Sequence, residues 1–349
     1  MTLSECPTRS NNLHLIRFLA AILVIISHSF MISTGDNKNE WFLALTNDQI
    51  SMGGFAVSIF FCAGGYLIAK SVERANNGFS YFRARIFRIF PSLVAVVFVT
   101  TLVLGPIVTE YRLVEYFSDR GTYKYLLNGI LVLQHDLPGV FVNNPSDSTV
   151  NGALWTLPVE FLCYIACFVI WKTKFMQKKL FKWTIPAVIV GTIGLNMILQ
   201  YIRIEVLFAA IRPSLLFYMG IFFYVYRDKI RFTKWGVLIS ALLLVLSSVF
   251  GILDAGMVLC FPYLLLYVSF VLPQVSEKYG KTGNISYGIY LWGLPVQQTL
   301  VMISGGSMSP YLNMVLAIPL AIFLGYLTYR FVELPIIGLE RKYIKKSTN

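Results

Sequence analysis

Three sets of residues in this chain have types and spacings that could do chemistry. Arg17 and His28 interrupt the apolar run from Leu13 to Ser33. Eleven helical residues rise about 16 Å and turn roughly 1100°, close to a whole number of turns, so both polar side chains share one helix face. Ala21 and Val24 lie between them on that face. An ionisable residue inside a membrane span is costly and usually faces a protein interior or a water-filled cavity. An imidazole there has the chemistry of a general base. A plainer reading stands beside this one: Arg17 snorkels to a headgroup, and His28 is a core histidine whose nitrogens are satisfied by neighbours.

Glu160 lies in another apolar run, about 12 Å from its nearer end, while His28 lies about 8 Å from the corresponding end of its own. At similar depth, a carboxylate beside an imidazole would fix its tautomer and stabilise the imidazolium. A packing ion pair, or a Glu bonded to backbone, is the alternative. The third set is Arg85 and Arg88 in Phe82-Arg83-Ala84-Arg85-Ile86-Phe87-Arg88-Ile89-Phe90-Pro91. Three residues apart on a helix, their guanidinium groups project together, and such a pair suits a phosphate. Ordinary orientation anchors at a membrane boundary would look the same.

The elements that must position these residues are membrane helices. Of 349 residues 56% are hydrophobic and only 13% charged, with a mean hydropathy of +0.67, values foreign to a water-soluble domain of this size. The net charge of +12 sits in short clusters between apolar runs, a topology signal and not a nucleic-acid footprint. The five cysteines, Cys6, Cys62, Cys163, Cys167 and Cys260, form no CxxC pair, so neither a disulfide framework nor a metal site is expected. The first apolar run is kept as a helix and not read as a cleaved signal, because further spans follow and it carries polar residues.

Apolar runs able to cross about 30 Å of hydrocarbon fall at residues 13–33, 51–70, 89–109, 152–171, 184–202, 205–226, 235–252, 256–273, 284–303 and 311–331. The fold class is thus an all-α polytopic membrane protein of about ten transmembrane helices, one integral-membrane domain over 1–349 without an appended soluble domain. With both termini cytoplasmic, 23 Lys and Arg fall inside and five (Lys38, Arg112, Arg120, Lys124 and Arg203) outside, Arg212 lying within a span. That asymmetry sets the orientation. The longest connection, about 110–151, lies outside; its piece Tyr123–Leu133 is too short and polar for a span and reads as re-entrant or interfacial structure. Small residues in Gly53-Gly54 and Gly64-Gly65 read as close helix packing.

Taken together, Arg17-x10-His28, the Gly/Phe-Phe/Gly-Tyr-Leu-Ile second helix, Arg85-x-x-Arg88-Ile-x-Pro91, Leu154-Trp155-Thr156-Leu157-Pro158-Val159-Glu160 and Ser286-Tyr287-Gly288-Ile289-Tyr290-Leu291-Trp292 resemble the membrane acyltransferase-3 family, whose members O-acetylate bacterial surface glycans. The resemblance covers essentially the whole chain. It implies a ten-helix acyltransferase fold, His28 as the catalytic residue, Glu160 as an essential partner, Arg17 in the same polar channel, and Arg85 and Arg88 on the acyl-CoA. Two positions depart from the family pattern. Gly64 stands where Ser is usual, and Gly293 stands where a His usually follows Tyr-Leu-Trp.

The resulting expectation is a bacterial inner-membrane O-acetyltransferase of polysaccharide biosynthesis, such as that of an O-antigen. Acetyl-CoA would be the donor, no metal is required, and the acceptor would be a hydroxyl of a lipid-linked or surface glycan. His28 would serve as general base or as a transient acyl carrier. The alternatives are a proton-coupled transporter or flippase of a glycan precursor, and the same fold using succinyl-CoA or another acyl donor.

Overall fold

The computed structural model of the chain describes all residues except 7–10, 76, 147, 178–180, 182, 185–204, 276–284 and 348–349, with the backbone alone at 177, 205–208 and 341–347. The described residues are helical, with no strand among them beyond isolated bridges such as Thr109 with Val140. The long helices are α1 (Leu13–Thr34), α2 (Met52–Arg74), α3 (Gly78–Val108), α4 (Gly152–Lys172), α5 (Glu205–Val225), α6 (Lys234–Val249), the pair α7 (Leu253–Leu259) and α8 (Phe261–Phe270), α9 (Ser286–Ile303) and α10 (Pro310–Glu340).

Five of these, α1, α2, α3, α4 and α10, are long and apolar enough to cross a membrane, and the α7–α8 pair makes a sixth if counted as one span. The chain is a multi-pass membrane protein. Apart from its first residue, the expected span at 184–202 lies outside the described residues. The expected span at 256–273 is instead the α7–α8 pair, bent by 43°. Pro262, near the start of α8, lacks an N–H and restricts Phe261 before it, which breaks a helix at this point. The third span begins at Gly78, eleven residues ahead of the apolar run at 89. Asn77 caps it, its side chain accepting from the Ser80 N–H at 2.8 Å, so Arg83, Arg85 and Arg88 are helical.

Helices α1, α2, α9 and α10 form one packed group, with α5 on the other side of α2. The contacts depend on glycine. A Cβ on Gly65 would fall 1.9 Å from the Phe217 carbonyl oxygen, and one on Gly220 would fall 2.2 Å from that of Cys62, so α2 and α5 touch backbone to backbone. Gly288 and Gly325 also bring α9 and α10 together: a Cβ on Gly288 would fall 2.8 Å from the Gly325 Cα, and one on Gly325 2.7 Å from the Ile289 nitrogen. The piece Tyr123–Leu133 forms short helical turns whose Gly129 packs on Val94 of α3. It is tied down by Asn128, which bonds the Tyr125 and Gln134 carbonyls at 2.9 Å each. Tyr116 reaches from the same connection to the π-helical turn Thr100–Leu104 of α3 and donates to the Thr101 carbonyl at 2.7 Å, satisfying an acceptor that the altered hydrogen-bond pattern leaves available.

Candidate functional site

Four of the five residues singled out by chemistry converge. Arg17 from α1, Arg85 and Arg88 from α3, and Glu160 from α4 line one cavity of about 270 Å³, together with Ser71 of α2, Tyr164 of α4 and Tyr287 of α9. The i, i+3 spacing on α3 and the early position of Arg17 on α1 put the three guanidinium groups on the same end of the bundle. Arg85 donates to Ser71 Oγ at 2.8 Å and lies over the rings of Tyr81 and Tyr164. Arg88 donates to Glu333 Oε2 at 3.1 Å while Ser92 Oγ donates to Oε1 at 3.0 Å, and its guanidinium lies over Tyr287. Tyr164, one turn beyond Glu160, donates its hydroxyl to the Glu160 carboxylate.

The charge balance is the informative property of this cavity. Three guanidinium groups face two carboxylates, Glu160 and Glu333, which leaves one positive charge over. Arg17 Nε, Arg85 Nε and Arg88 Nη2 are buried and have no hydrogen-bond partner among the described residues. Unmet buried donors are costly, and three of them on cations around one cavity form a receptor for an anion with several acceptor oxygens.

A second, much smaller cavity of about 40 Å³ shares Arg17, Glu160 and Tyr287 with the first and continues past them along Val57, Phe60, Thr156, Leu157 and Tyr290. On α2 the lining therefore steps from Ser71 through Gly64 to Phe60 and Val57, turn by turn towards Gly53. Gly53 is itself against α1, where a Cβ on it would lie 3.0 Å from Ser27 Oγ. Tyr290 is held by the Thr156 hydroxyl and the Ala153 carbonyl, each at 2.7 Å.

His28 is half-buried and lies about 16 Å along α1 from Arg17, on the same face. Two contacts fix that part of α1. Ser27 on one side meets Gly53; on the other, Gln297 of α9 donates to the Ile25 carbonyl and Ser29 Oγ, both at 2.8 Å, and to Asn313 Oδ1 at 3.0 Å. His28 lies between these two directions. Among the described residues, no hydrogen bond or ion pair joins it to Glu160, whose carboxylate is engaged at the Arg17 end. Among the described residues no group of three or more His, Cys, Asp or Glu could hold a metal ion.

The two departures from the family pattern have different physical meanings. A Cβ on Gly64 would be in ordinary contact, 3.6 Å from the Phe217 ring, whereas one on Gly293 would lie 3.1 Å from Ile25 Cγ1. Gly64 thus leaves space beside the arginines, and Gly293 lets α9 lie close against α1. Sequence reasoning missed Glu333, Tyr164 and Gln297. Tyr164 had a signal, four residues after Glu160 on a helix; Glu333 lies just beyond the expected tenth span at 311–331.

Residues 10–330 match the protein family described as "Acyltransferase domain". A relative called "O-acetyl transferase", from Shigella phage Sf6, is 27% identical over 93% of this chain and 95% of its own. Another, "Nodulation protein 10" of Rhizobium leguminosarum bv. viciae, is 26% identical over 84% of each chain. No solved structure matches.

Proposed function

The chain belongs to this acyltransferase domain family and is an acyltransferase enzyme, and from that premise we propose that it moves an acetyl group from cytoplasmic acetyl-CoA to a sugar hydroxyl of a lipid-linked or cell-surface polysaccharide at the bacterial inner membrane. The observation that carries the donor half of this reading is the cavity with three unmet guanidinium donors. A CoA thioester has phosphates at one end and its acyl group at the other. With the phosphates on Arg85 and Arg88, the arm runs past Arg17 and Glu160 along the face of α1 that ends at His28. The excess of Lys and Arg on the same side of the spans supports a cytoplasmic origin for the donor.

In this reading His28 handles the proton. As general base it takes the proton of the acceptor hydroxyl while that oxygen forms a bond to the thioester carbonyl carbon; the C–S bond breaks, and the proton passes to the departing thiolate. As acyl carrier, its ring nitrogen forms the bond first and the thiol leaves protonated. The sugar oxygen then displaces the imidazole, and the hydroxyl proton returns to the ring. Either route needs donor and acceptor brought together at His28, which is half-buried on α1. Glu160 acts from the Arg17 end, balancing the arginines electrostatically and holding Tyr164. The test is analysis of alkali-labile esters on surface glycans from a deletion strain and its complemented counterpart. Acetate released only from the complemented strain supports the reading; identical ester content in both strains rejects it.

A further inference from the structure

Arg85 and Arg88 stand three residues apart on α3 and line the same cavity, yet they are held differently. Arg85 donates to an uncharged partner, Ser71, and among the described residues it has no carboxylate. Arg88 donates to Glu333 Oε2 at 3.1 Å, while Ser92, one turn further along α3, donates to the other oxygen at 3.0 Å. The Arg88 side chain is 31% exposed and that of Glu333 only 4%, and Glu333 is not among the residues that line the cavity. The carboxylate therefore sits behind the guanidinium as seen from the cavity. Glu333 ends the π-helical turn Tyr329–Glu333 of α10, a widened turn of a kind frequent at functional sites.

A phosphate entering the cavity thus meets one arginine whose charge is unopposed and another already shared with a carboxylate. A guanidinium has several donors, and Arg88 Nη2 is unmet among the described residues, so Arg88 can hold phosphate and Glu333 at once. The two anions repel each other across it, and each is held less firmly than it would be alone. Acetyl-CoA and CoA carry the same phosphates, so a grip on phosphate binds substrate and product equally. With nothing opposing it, that grip would retain CoA after the acyl group has gone. We propose that Glu333 is the counter-charge that limits the affinity of this site for CoA phosphates, on substrate and product alike. This rests on the donor reading above and adds to it a residue that acts through Arg88 without touching the ligand.

The probe is CoA itself. Its dissociation constant is read from the rise in thermal midpoint of the detergent-purified enzyme with CoA concentration, which needs no turnover. In inside-out membrane vesicles, its inhibition constant and the acetyl-CoA KM are read from ester formed on the strain's own glycan. Glu333→Gln removes the charge and keeps the shape. It should lower all three constants together by about tenfold, a modest part of what two like charges a few ångström apart impose in a protein interior. Glu333→Asp keeps the charge but draws it back by one methylene, so it should shift the constants the same way by less, and it serves if Glu333→Gln does not accumulate. A carboxylate that only props Arg88 in place would loosen the site when removed, so weaker or unchanged CoA binding in the variants overturns the proposal. CoA binding without any ester from the wild type overturns the acyl-transfer reading and leaves this inference to the binding result. No CoA binding to the wild type overturns the phosphate assignment, and this inference with it.

Discussion

Arg85→Lys separates a phosphate-binding arginine from a topological anchor. Both residues are cations, so an anchor tolerates the exchange. Among the described residues Arg85 has no carboxylate partner and its Nε is unmet; its Nη2 donates to Ser71 and its plane lies over Tyr81 and Tyr164. Lysine keeps the charge but loses the fork, the stacking and the second donor direction. A hydrogen bond to a charged group contributes about 1.5–3 kcal/mol, and with part of the attraction retained the loss is about 1–1.5 kcal/mol, close to tenfold in donor affinity. Arg88 is partly neutralised by Glu333 at 3.1 Å, so Arg88→Lys should cost less than Arg85→Lys, and the double variant more than either. The assay is the acetyl-CoA dependence of ester formation in vesicles with matched protein levels, read as KM and kcat separately. A donor KM within twofold of wild type in the double variant refutes the phosphate assignment.

Further predictions concern packing, pH and orientation. Gly65→Ala puts a Cβ 1.9 Å from a backbone oxygen, which no side-chain movement relieves; it should cost about 1–3 kcal/mol or more, seen as a lower thermal midpoint in detergent. Gly338→Ala, where no described residue lies within 4 Å, should be neutral or slightly stabilising. Glu40, in the connection between α1 and α2, is fully buried, and burial raises its carboxyl above the ordinary 4.5 despite the 2.5 Å bond from the Met52 N–H. The folded state then holds the proton more tightly than the unfolded, so this contribution to stability is full below about pH 4.5 and declines as pH rises through the raised value. Wild type should therefore lose thermal stability relative to Glu40→Gln over that interval, and parallel midpoints in both proteins would exclude the effect. A reporter fused after Lys346 should be active only as a cytoplasmic reporter and one inserted at Asp119 only as an outside reporter; the reverse pattern overturns the orientation.

Two juxtapositions were legible, Arg17 with His28 on one face of α1 and Arg85 beside Arg88 on α3, because helical spacing determines which side chains share a face; that Glu160 lines one cavity with Arg17, Arg85 and Arg88 was not. The close helix contacts were legible in Gly53-Gly54 and Gly64-Gly65 for the same local reason. Which helices touch was not. Glu160 and His28 were expected at similar depth, yet Glu160 lines the cavities with Arg17, about 16 Å along α1 from His28, because distances counted along each helix do not fix how the two helices are offset. Glu333 pairs with Arg88 across 245 residues of sequence, a contact no periodicity encodes. The break at Cys260 hid inside a continuous apolar run whose only mark was Pro262.

In the proposed reaction acyl transfer passes through His28. His28→Ala, compared with wild type at matched membrane levels, is measured by alkali-released acetate from the surface glycan, with Glu160→Gln alongside. Removal of a positioned general base costs about 10²–10⁴ in rate, so ester content should fall to near that of the deletion strain, with Glu160→Gln also severe but leaving a trace of activity. Wild-type ester content in the His28→Ala strain contradicts the claim and makes His28 a structural residue of α1.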